Sequence, residues 1–437
     1  MHRRGEPRSH RTSAARPPQC LPRAPQTSLP GRMAPWLAAA FIALCLATIP
    51  FGVSFSKSYG SVLGAVGIAM LCCARLEAQT WDRLTLWPMI VLLTAYAIGC
   101  FTSIDSARSV NRFTTMPLFA IVFVAMQLAS ADRVVLRTVL WAGVITTLAI
   151  VFDVAVSRAT GRSLFHNEVV SAVRTAGSQG NPNDLSAASL LLPLAWAVVP
   201  RRGHVVWYMG FAIAAAFAWV LSAGRQVAIG WAVATLVPIV LQLGWKRSAW
   251  IILPLVGLVG AVIVIDPSLR IRMTETLQNG FGDRKPLIVF GLWQWWQQPW
   301  LGNGPGTFGE LYLRAAAADW SWHGLTLEHV GMPWVHNLSI EVLCDLGLVG
   351  AAAFGAVVVG AWRRIHRALA ASPECRTLAI VACAMGLSIL AISAVDLTFI
   401  KDWFRCVFWL ALGLAFLPKK QADCQWPGGI TPQAPLN

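Results

Sequence analysis

A succession of about twelve apolar stretches constrains the fold of this chain more than any other feature. Of its 437 residues, 56% are hydrophobic and only 13% are charged. A bilayer core about 30 Å thick is crossed by roughly 20 apolar residues in a helix. The stretches therefore predict an all-α, polytopic membrane protein with about 12 transmembrane helices, over 34–54, 59–74, 84–101, 113–130, 136–156, 185–200, 205–223, 226–244, 249–266, 338–361, 377–397 and 403–417.

Charge places the connecting segments on two sides of the membrane. The basic, proline-rich leader 1–33 is predicted to be disordered and cytoplasmic, because basic segments stay inside. Residues 34–420 form the predicted membrane domain, and the tail 421–437 returns to the cytoplasm. Alternation then leaves the two long loops 157–184 and 267–337 outside. We expect the longer one to fold as short helices, since structureless loops of that length are uncommon.

Several functions are disfavoured by composition. The net charge of +15 is attributed to inner loops that meet anionic headgroups, and no nucleic-acid partner is predicted. Most of the ten cysteines fall within or beside apolar runs, which indicates buried thiols and no disulfide framework. The chain has no CxxC, and His323, His329 and His336 are poorly spaced for zinc. Neither a metal nor another cofactor is predicted.

Arg225 is the sharpest polar signal on the outer side. It lies in SAGRQ, the only polar interruption of a long apolar segment, which predicts a tight hairpin between two spans. An arginine at the membrane edge is costly unless it is paired or functional. One interpretation is a clamp for a phosphate or diphosphate, which guanidinium binds with paired bonds. The alternative is an arginine whose head reaches the interface.

Two further outer segments carry arginines. The segment RTAGSQGNPND joins Arg174 to a turn at Asn181, and this turn predicts the N-cap of a helix. The N-terminus of that helix suits an anion, whereas the alternative is an ordinary loop with a cap. Arg284 precedes a tryptophan-rich segment and the glycine turn GNGPG, which lacks the GK[ST] of a P-loop. The tryptophans of this segment are Trp293, Trp295, Trp296 and Trp300. We expect them either to stack on sugars or to pack at the membrane interface or in the core.

His336 and Asn337 stand at the start of another apolar run. A histidine with an ordinary pKa near 6.5 suits proton abstraction from a hydroxyl, whereas a structural role is the alternative. Glu341 and Asp345 share one helical face. Asp396 and Lys401, near the last outer turn, are two further candidates. The alternative is that they form an ion pair with each other.

Four motifs in order resemble the bacterial O-antigen ligase and polymerase superfamily. They are RTAGSQGNPNDLSAASLLLPLA, LSAGRQVAIG, GDRKPLIVFGLWQWWQQPWLGNGPGTF and HNLSIEVLCDLGLVG, between residues 170 and 360. The second resembles the family's Ser-Arg-Gly hairpin, with Ala223 and Gly224 where a serine is more usual.

The resemblance implies a metal-independent glycosyltransferase of the bacterial inner membrane with its active site facing the periplasm. Its donor would be a glycan on undecaprenyl diphosphate, and its acceptor lipid A–core or another glycan. His336 is implied as the base and Arg225 as the second catalytic residue. The diphosphate or glycan would be bound by Arg174, Arg284, Asn181 and Asn337.

Other functions remain open at this stage. A polymerase of O-antigen or exopolysaccharide uses the same motifs, and a protein O-glycosyltransferase is a third member of the group. A glycolipid transporter is the alternative from another class. It predicts ionisable residues at mid-membrane depth, whereas here they gather mainly at one edge, with Asp153 as the exception.

Overall fold

The computed structural model describes residues 29–50, 63–73, 86–164, 181–200, 202–267, 284–327, 333–396 and 399–417, with a few single positions between 269 and 278. Most residues in these ranges are helical and the strands are limited to one short hairpin, which confirms the predicted all-α class. The helices before the middle of the chain are α1 Leu29–Ala47, α2 Leu63–Cys73, α3 Trp87–Phe101, α4 Ser106–Phe113, α5 Thr115–Ala129 and α6 Arg133–Thr160.

The second half begins with a 3-10 helix, Pro182–Leu185. Its helices are α7 Ser186–Leu191, α8 Leu194–Val198, α9 His204–Ser222, α10 Arg225–Leu243, α11 Trp245–Ile265, α12 Lys285–Gln297, α13 Phe308–Ala317, α14 Leu338–Leu369, α15 Pro373–Ser393 and α16 Asp402–Ala415. The antiparallel hairpin pairs β1 Ser321–Trp322 with β2 Leu325–Thr326.

Seven helical segments in the described part of the chain are long and apolar enough to cross a membrane. Each coincides with one of the twelve predicted spans; they are Ser106–Ala129, Arg133–Thr160, His204–Ser222, Arg225–Leu243, Trp245–Ile265, Leu338–Leu369 and Pro373–Ser393. The other predicted spans correspond to shorter helices, so a multi-pass membrane architecture fits the structure.

The predicted span 185–200 is an interrupted helix. It consists of the 3-10 turn, α7 and α8, with Pro193 between the last two. Proline lacks the N–H that continues a helix and its ring clashes with the preceding turn. Nearly every side chain from Asp184 to Val199 is buried, and broken helices are tolerated at membrane depth when protein surrounds them.

Helix packing depends on small residues and on polar groups that bond helix carbonyls. A Cβ added to Gly230 of α10 would lie 2.2 Å from Cδ1 of Ile392 on α15, so the glycine leaves the space that the Ile392 side chain fills. The Tyr208 hydroxyl donates to the carbonyl of Ala234 at 2.6 Å, and the Trp231 indole donates to that of Ala212 at 2.7 Å. Both features are typical of helices that associate within lipid.

Helix α14 is broken at Gly347, which has a φ of 63°. The glycine turn that follows α12 fills the break. The Asn303 N–H donates to the carbonyl of Cys344 at 2.7 Å, and the Leu348 N–H donates to that of Pro299 at 2.8 Å. A Cβ on Gly302 would lie 2.5 Å from the backbone of Asp345. The turn is therefore glycine-rich because two backbones touch there.

The described part of the segment between α11 and α14 contains the short helices α12 and α13. Helices α12 and α13 share a small core centred on Phe290, which packs edge-on against Tyr312 and Trp320. This second core is joined to α14 through the glycine turn. Helices α12 and α13 and the start of α14 therefore pack as one unit.

Candidate functional site

His336 is held at the N-terminus of α14 by the residue that follows it. Asn337 is the N-cap: its Oδ1 accepts from the Ile340 N–H at 3.1 Å, and its Nδ2 donates to the carbonyl of Ala394 at 2.9 Å. His336 itself has a φ of 54°, a left-handed conformation that is uncommon for a residue with a side chain. The cap and the unusual backbone together fix the imidazole towards the turn that follows α15.

Asp396 lies in that turn and is 1% exposed on its side chain. Its Oδ1 accepts from Nδ1 of His336 and lies 3.2 Å from Nη2 of Arg284, and its Oδ2 accepts from Nε2 of Gln226. An ionised carboxylate only accepts hydrogen bonds, so Nδ1 of His336 carries the proton. Within the described part of the chain Nε2 of His336 has no hydrogen-bond partner, so Nε2 is the ring nitrogen that can accept a proton.

Electrostatics keep Asp396 ionised. Burial on its own raises the pKa of a carboxyl group. The hydrogen bond from His336 and the positive charges of Lys401 and Arg284 outweigh burial, and the pKa of Asp396 lies below its ordinary value. A buried carboxylate that is charged and already paired with a histidine is an orienting group for that histidine.

Gln226 joins this cluster to a second turn. Its side chain is buried, and besides Asp396 its Nε2 donates to the carbonyl of Asn183 at 3.1 Å. Asn183 follows the predicted cap residue Asn181, whose Oδ1 accepts from the Asn183 N–H at 2.9 Å. The expected N-cap at Asn181 is therefore present, and it shapes the turn that Gln226 reaches.

Lys401 and Asp184 form an ion pair beside the cluster. Nζ of Lys401 donates to Oδ1 of Asp184 and lies 5.9 Å from the centre of the Trp334 ring, which in turn lies 4.5 Å from the His336 ring. Burial raises the pKa of Asp184 despite the opposing charge of Lys401. Lys401 therefore bonds Asp184, and the alternative of a direct Lys401–Asp396 pair is not what the structure shows.

Arg225 is the first residue of α10, at the tip of the predicted hairpin. The turn is built by Ser222, whose Oγ accepts from the Gly224 N–H at 3.1 Å, and by Ala223, which has a φ of 48°. Arg225 is half-buried and directly precedes Gln226, so it lies at the end of α10 that reaches Asp396. Arg174, the other predicted arginine of this group, lies outside the described residues.

The two acids of α14 hold backbone rather than substrate. Glu341 accepts from the Phe399 N–H at 2.7 Å, and Asp345 accepts from the Gly306 N–H at 3.0 Å. Phe399 is buried and Gly306 partly buried, so both bonds give a partner to an N–H that is shielded from solvent. These carboxylates tie the last outer turn and the glycine turn to α14.

The predicted tryptophan cluster divides into two halves. Trp293 stacks on Phe290, and the Trp295 indole donates to the carbonyl of Pro299 at 3.2 Å. Trp296 and Trp300 are exposed. Among the described residues no group of three histidine, cysteine, aspartate or glutamate side chains is placed to hold a metal ion.

Sequence reasoning missed Gln226 and gave Asp184 only a capping role. One signal was available: Gln226 is the sole amide within the first three turns of an apolar helix. Its partners, however, lie 43 and 170 residues away along the chain, and no local pattern indicates contacts at that distance.

Comparison with known proteins adds no family assignment: no protein-family model and no curated protein matches the chain. The geometry alone therefore describes what the cluster can do. It offers an imidazole oriented by a buried carboxylate, with guanidinium groups at the same end of the helices. This set can take a proton from a hydroxyl and stabilise a developing negative charge.

Proposed function

We propose that the chain is an inner-membrane glycosyltransferase that moves a glycan from undecaprenyl diphosphate to an acceptor hydroxyl on the periplasmic side. O-antigen ligation to lipid A–core is the specific reaction proposed. The observation that carries the proposal is the contact of Asp396 with both His336 and Arg284. The buried carboxylate of Asp396 thus holds the proposed base, His336, next to a cation, Arg284. A cation near the base can stabilise an anionic leaving group as it departs.

The proposed reaction assigns each group one step. Nε2 of His336 takes the proton of the acceptor hydroxyl while the oxygen forms a bond to the anomeric carbon of the donor. The bond from that carbon to the phosphate oxygen breaks, and the diphosphate leaves on its lipid with the bonding electrons. In the proposal Arg225 and Arg284 stabilise the charge that develops on it, because guanidinium binds phosphate oxygens in pairs.

Two of the other predicted residues occupy positions that fit supporting roles. Asn181 and Asn337 cap their helices, and in the proposal they position the surrounding groups; Arg174 keeps its predicted role in diphosphate binding. The helices long enough to cross a membrane agree with a donor and an acceptor that are both lipid-anchored. Their reacting groups would meet at the membrane edge, where His336 lies at a helix start.

Two extracts from a strain that lacks the gene test this function: lipopolysaccharide on a gel, and lipid-linked glycan. Ligation predicts core without a ladder, together with long polymer left on undecaprenyl diphosphate. Core capped with a single repeat unit identifies a polymerase instead. An unchanged ladder with no stranded polymer contradicts ligation and directs attention to exopolysaccharide, glycoprotein or transport.

A further inference from the structure

One face of α12 is apolar and exposed. Leu292 and Trp296 lie four residues apart and so occupy the same helical face, and both are exposed. Trp300 continues this face beyond the end of the helix. Trp296 is 71% and Trp300 69% exposed, which is unusual for side chains of this size in a region that already has its own small core.

The opposite face of α12 is the one that packs on the protein. The Cys344 thiol donates to the carbonyl of Gly291 at 2.9 Å, and Nδ2 of Asn303 donates to that of Gln294 at 3.2 Å. Both partners belong to α14 or to the glycine turn that docks on it. The face with Leu292 and Trp296 is therefore turned away from the rest of the molecule.

This exposed face continues onto a helix that can span a membrane. The Val349 N–H donates to the carbonyl of Trp300 at 3.1 Å, and both Leu348 and Val349 are exposed. After the break at Gly347, α14 runs on to Leu369, which gives a length of about 33 Å, enough to cross the hydrocarbon core. The apolar face of α12 thus borders the outer end of a full-length span.

We infer that this face, here called the α12 surface, binds the headgroup–acyl boundary of the bilayer. It is defined by Leu292, Trp296, Trp300, Leu301, Leu348 and Val349. Tryptophan is enriched at that depth of a membrane because its ring is apolar and its N–H is polar. Lys285 lies on the same side of α12, seven residues before Leu292, where its ammonium reaches lipid phosphates.

The aliphatic members of the α12 surface favour lipid over sugar. Leucine and valine side chains offer a glycan no hydrogen bond, whereas sugar sites combine a stacking ring with placed polar groups. Four of the six residues are aliphatic, and two of them belong to the candidate spanning helix itself. Continuity with that helix identifies the occupant as the bilayer.

The consequence for the site is positional, and it rests on the proposed function. Arg284 is the N-cap of α12 and contacts Asp396. A bilayer that binds α12 therefore sets the depth of Arg284 and of the cluster around Asp396. That depth is the level of the headgroups, where the diphosphate of a lipid-linked donor lies.

Photo-crosslinking in the full-length protein tests the inference directly. A benzophenone amino acid replaces Trp296, and in a second variant Trp300, in nanodiscs of phosphatidylethanolamine and phosphatidylglycerol. Leu253, exposed on the long apolar helix α11, is the control for lipid contact, and Arg314, exposed on α13, is the control outside the surface. We expect phospholipid adducts by mass spectrometry at 296, 300 and 253, and none at 314.

The controls separate this inference from the membrane placement. Adducts at 253 without any at 296 and 300 overturn the α12 surface and leave the membrane architecture intact. Crosslinks from 296 to a second copy of the chain or to glycan also overturn it. If position 253 gives no lipid adduct either, the membrane placement fails and the α12 surface fails with it.

The positional consequence has its own test. Trp296→Glu places a charge at the headgroup boundary and is expected to lower transfer, while Trp296→Tyr restores it; Trp322→Glu on the short hairpin is the matched control. Transfer by Trp296→Glu equal to that of the wild type, measured in a preparation whose wild type is active, contradicts the link between α12 depth and the site.

Discussion

Asp396 is the residue on which the candidate site depends most, because side chains from three separate elements meet its carboxylate. Asp396→Asn removes the negative charge between His336 and Arg284 and no longer fixes the proton on Nδ1. We expect the protein to accumulate but to lose transfer by about 100-fold or more, as for loss of a general base. Asp153→Asn is the matched control, since Asp153 is also buried and accepts a hydrogen bond, from the Leu164 N–H at 2.9 Å, outside the cluster around Asp396. Equal losses in both variants would contradict a special role for Asp396.

Asp396 and the neighbouring buried acid Asp184 should change the free energy of unfolding in opposite directions as pH changes. The folded pKa of Asp396 is lowered, so its contribution is present above its unfolded pKa, about 3.9, and is lost as pH falls below that value. The folded pKa of Asp184 is raised, so its contribution is present below about pH 3.9 and is lost as pH rises. The unfolding temperature of the detergent-solubilised wild type should therefore fall as pH drops below about 3.9, and this fall should be smaller in Asp396→Asn. An equal fall in that variant would show that other groups determine the acid sensitivity.

Gln226 is predicted to act by positioning Asp396. Gln226→Leu removes two hydrogen bonds and leaves buried acceptors short of a donor, which costs about 1–3 kcal/mol of folding free energy. Gln127→Leu is the control. Nε2 of Gln127 donates to the carbonyl of Gly413 at a distance of 2.9 Å, and neither residue belongs to the candidate site. Both variants should be destabilised, whereas only Gln226→Leu should lower the turnover of transfer at saturating donor. Similar turnover in the two variants would reduce Gln226 to a packing role.

At this scale the sequence predicted more of the side chains than of their contacts. The sequence singles out His336, Arg284 and Asp396 as candidates, and in the structure His336 and Arg284 both contact Asp396. The expectation for Asp396 and Lys401 left a direct pair open, yet each found another partner. Pairing of this kind is decided by how helices pack, over separations such as the 60 residues between His336 and Asp396.

At the scale of elements, the break in α14 is the feature that joins the outer segment to the membrane domain. A Cβ on Gly347 would lie 2.4 Å from the backbone of Trp300, and the residue has a positive φ. Gly347→Ala should therefore cost more than the roughly 1–3 kcal/mol of an unfavourable backbone conformation. We expect a lower unfolding temperature and reduced transfer. Gly355→Ala, in the same helix with no atom within 4 Å of the added Cβ, should change neither. A well-folded and active Gly347→Ala variant would mean that the glycine turn can move away.

Apolar length predicted where helices are, but it did not predict where they break. The runs at 205–223, 226–244 and 249–266 correspond closely to α9, α10 and α11. The run at 185–200 contains a proline and forms two short helices, and the run that begins at 338 hides the break at Gly347. Hydropathy counts side chains, whereas a break depends on whether another backbone can reach the freed carbonyls and N–H groups.

For the whole molecule, the described helices are compatible with a multi-pass membrane domain, and the candidate site lies where several helix ends meet. His336 precedes α14, Arg225 begins α10, Arg284 caps α12, and Asp396 follows α15. These ends come together although the residues are spread over more than 170 positions of the chain. The predicted alternation of spans also places these residues on one side of the membrane, and the identity of that side stays a prediction.

The proposed role of His336 can be measured as transfer by the purified protein in nanodiscs, from undecaprenyl-diphosphate-linked glycan to lipid A–core. The wild type and His366→Ala, which changes an exposed histidine at the far end of α14, should both form the glycosylated product. His336→Ala should bind donor and form none. Product formed by His336→Ala at the wild-type rate, or no product from a folded wild type supplied with both substrates, would contradict the account.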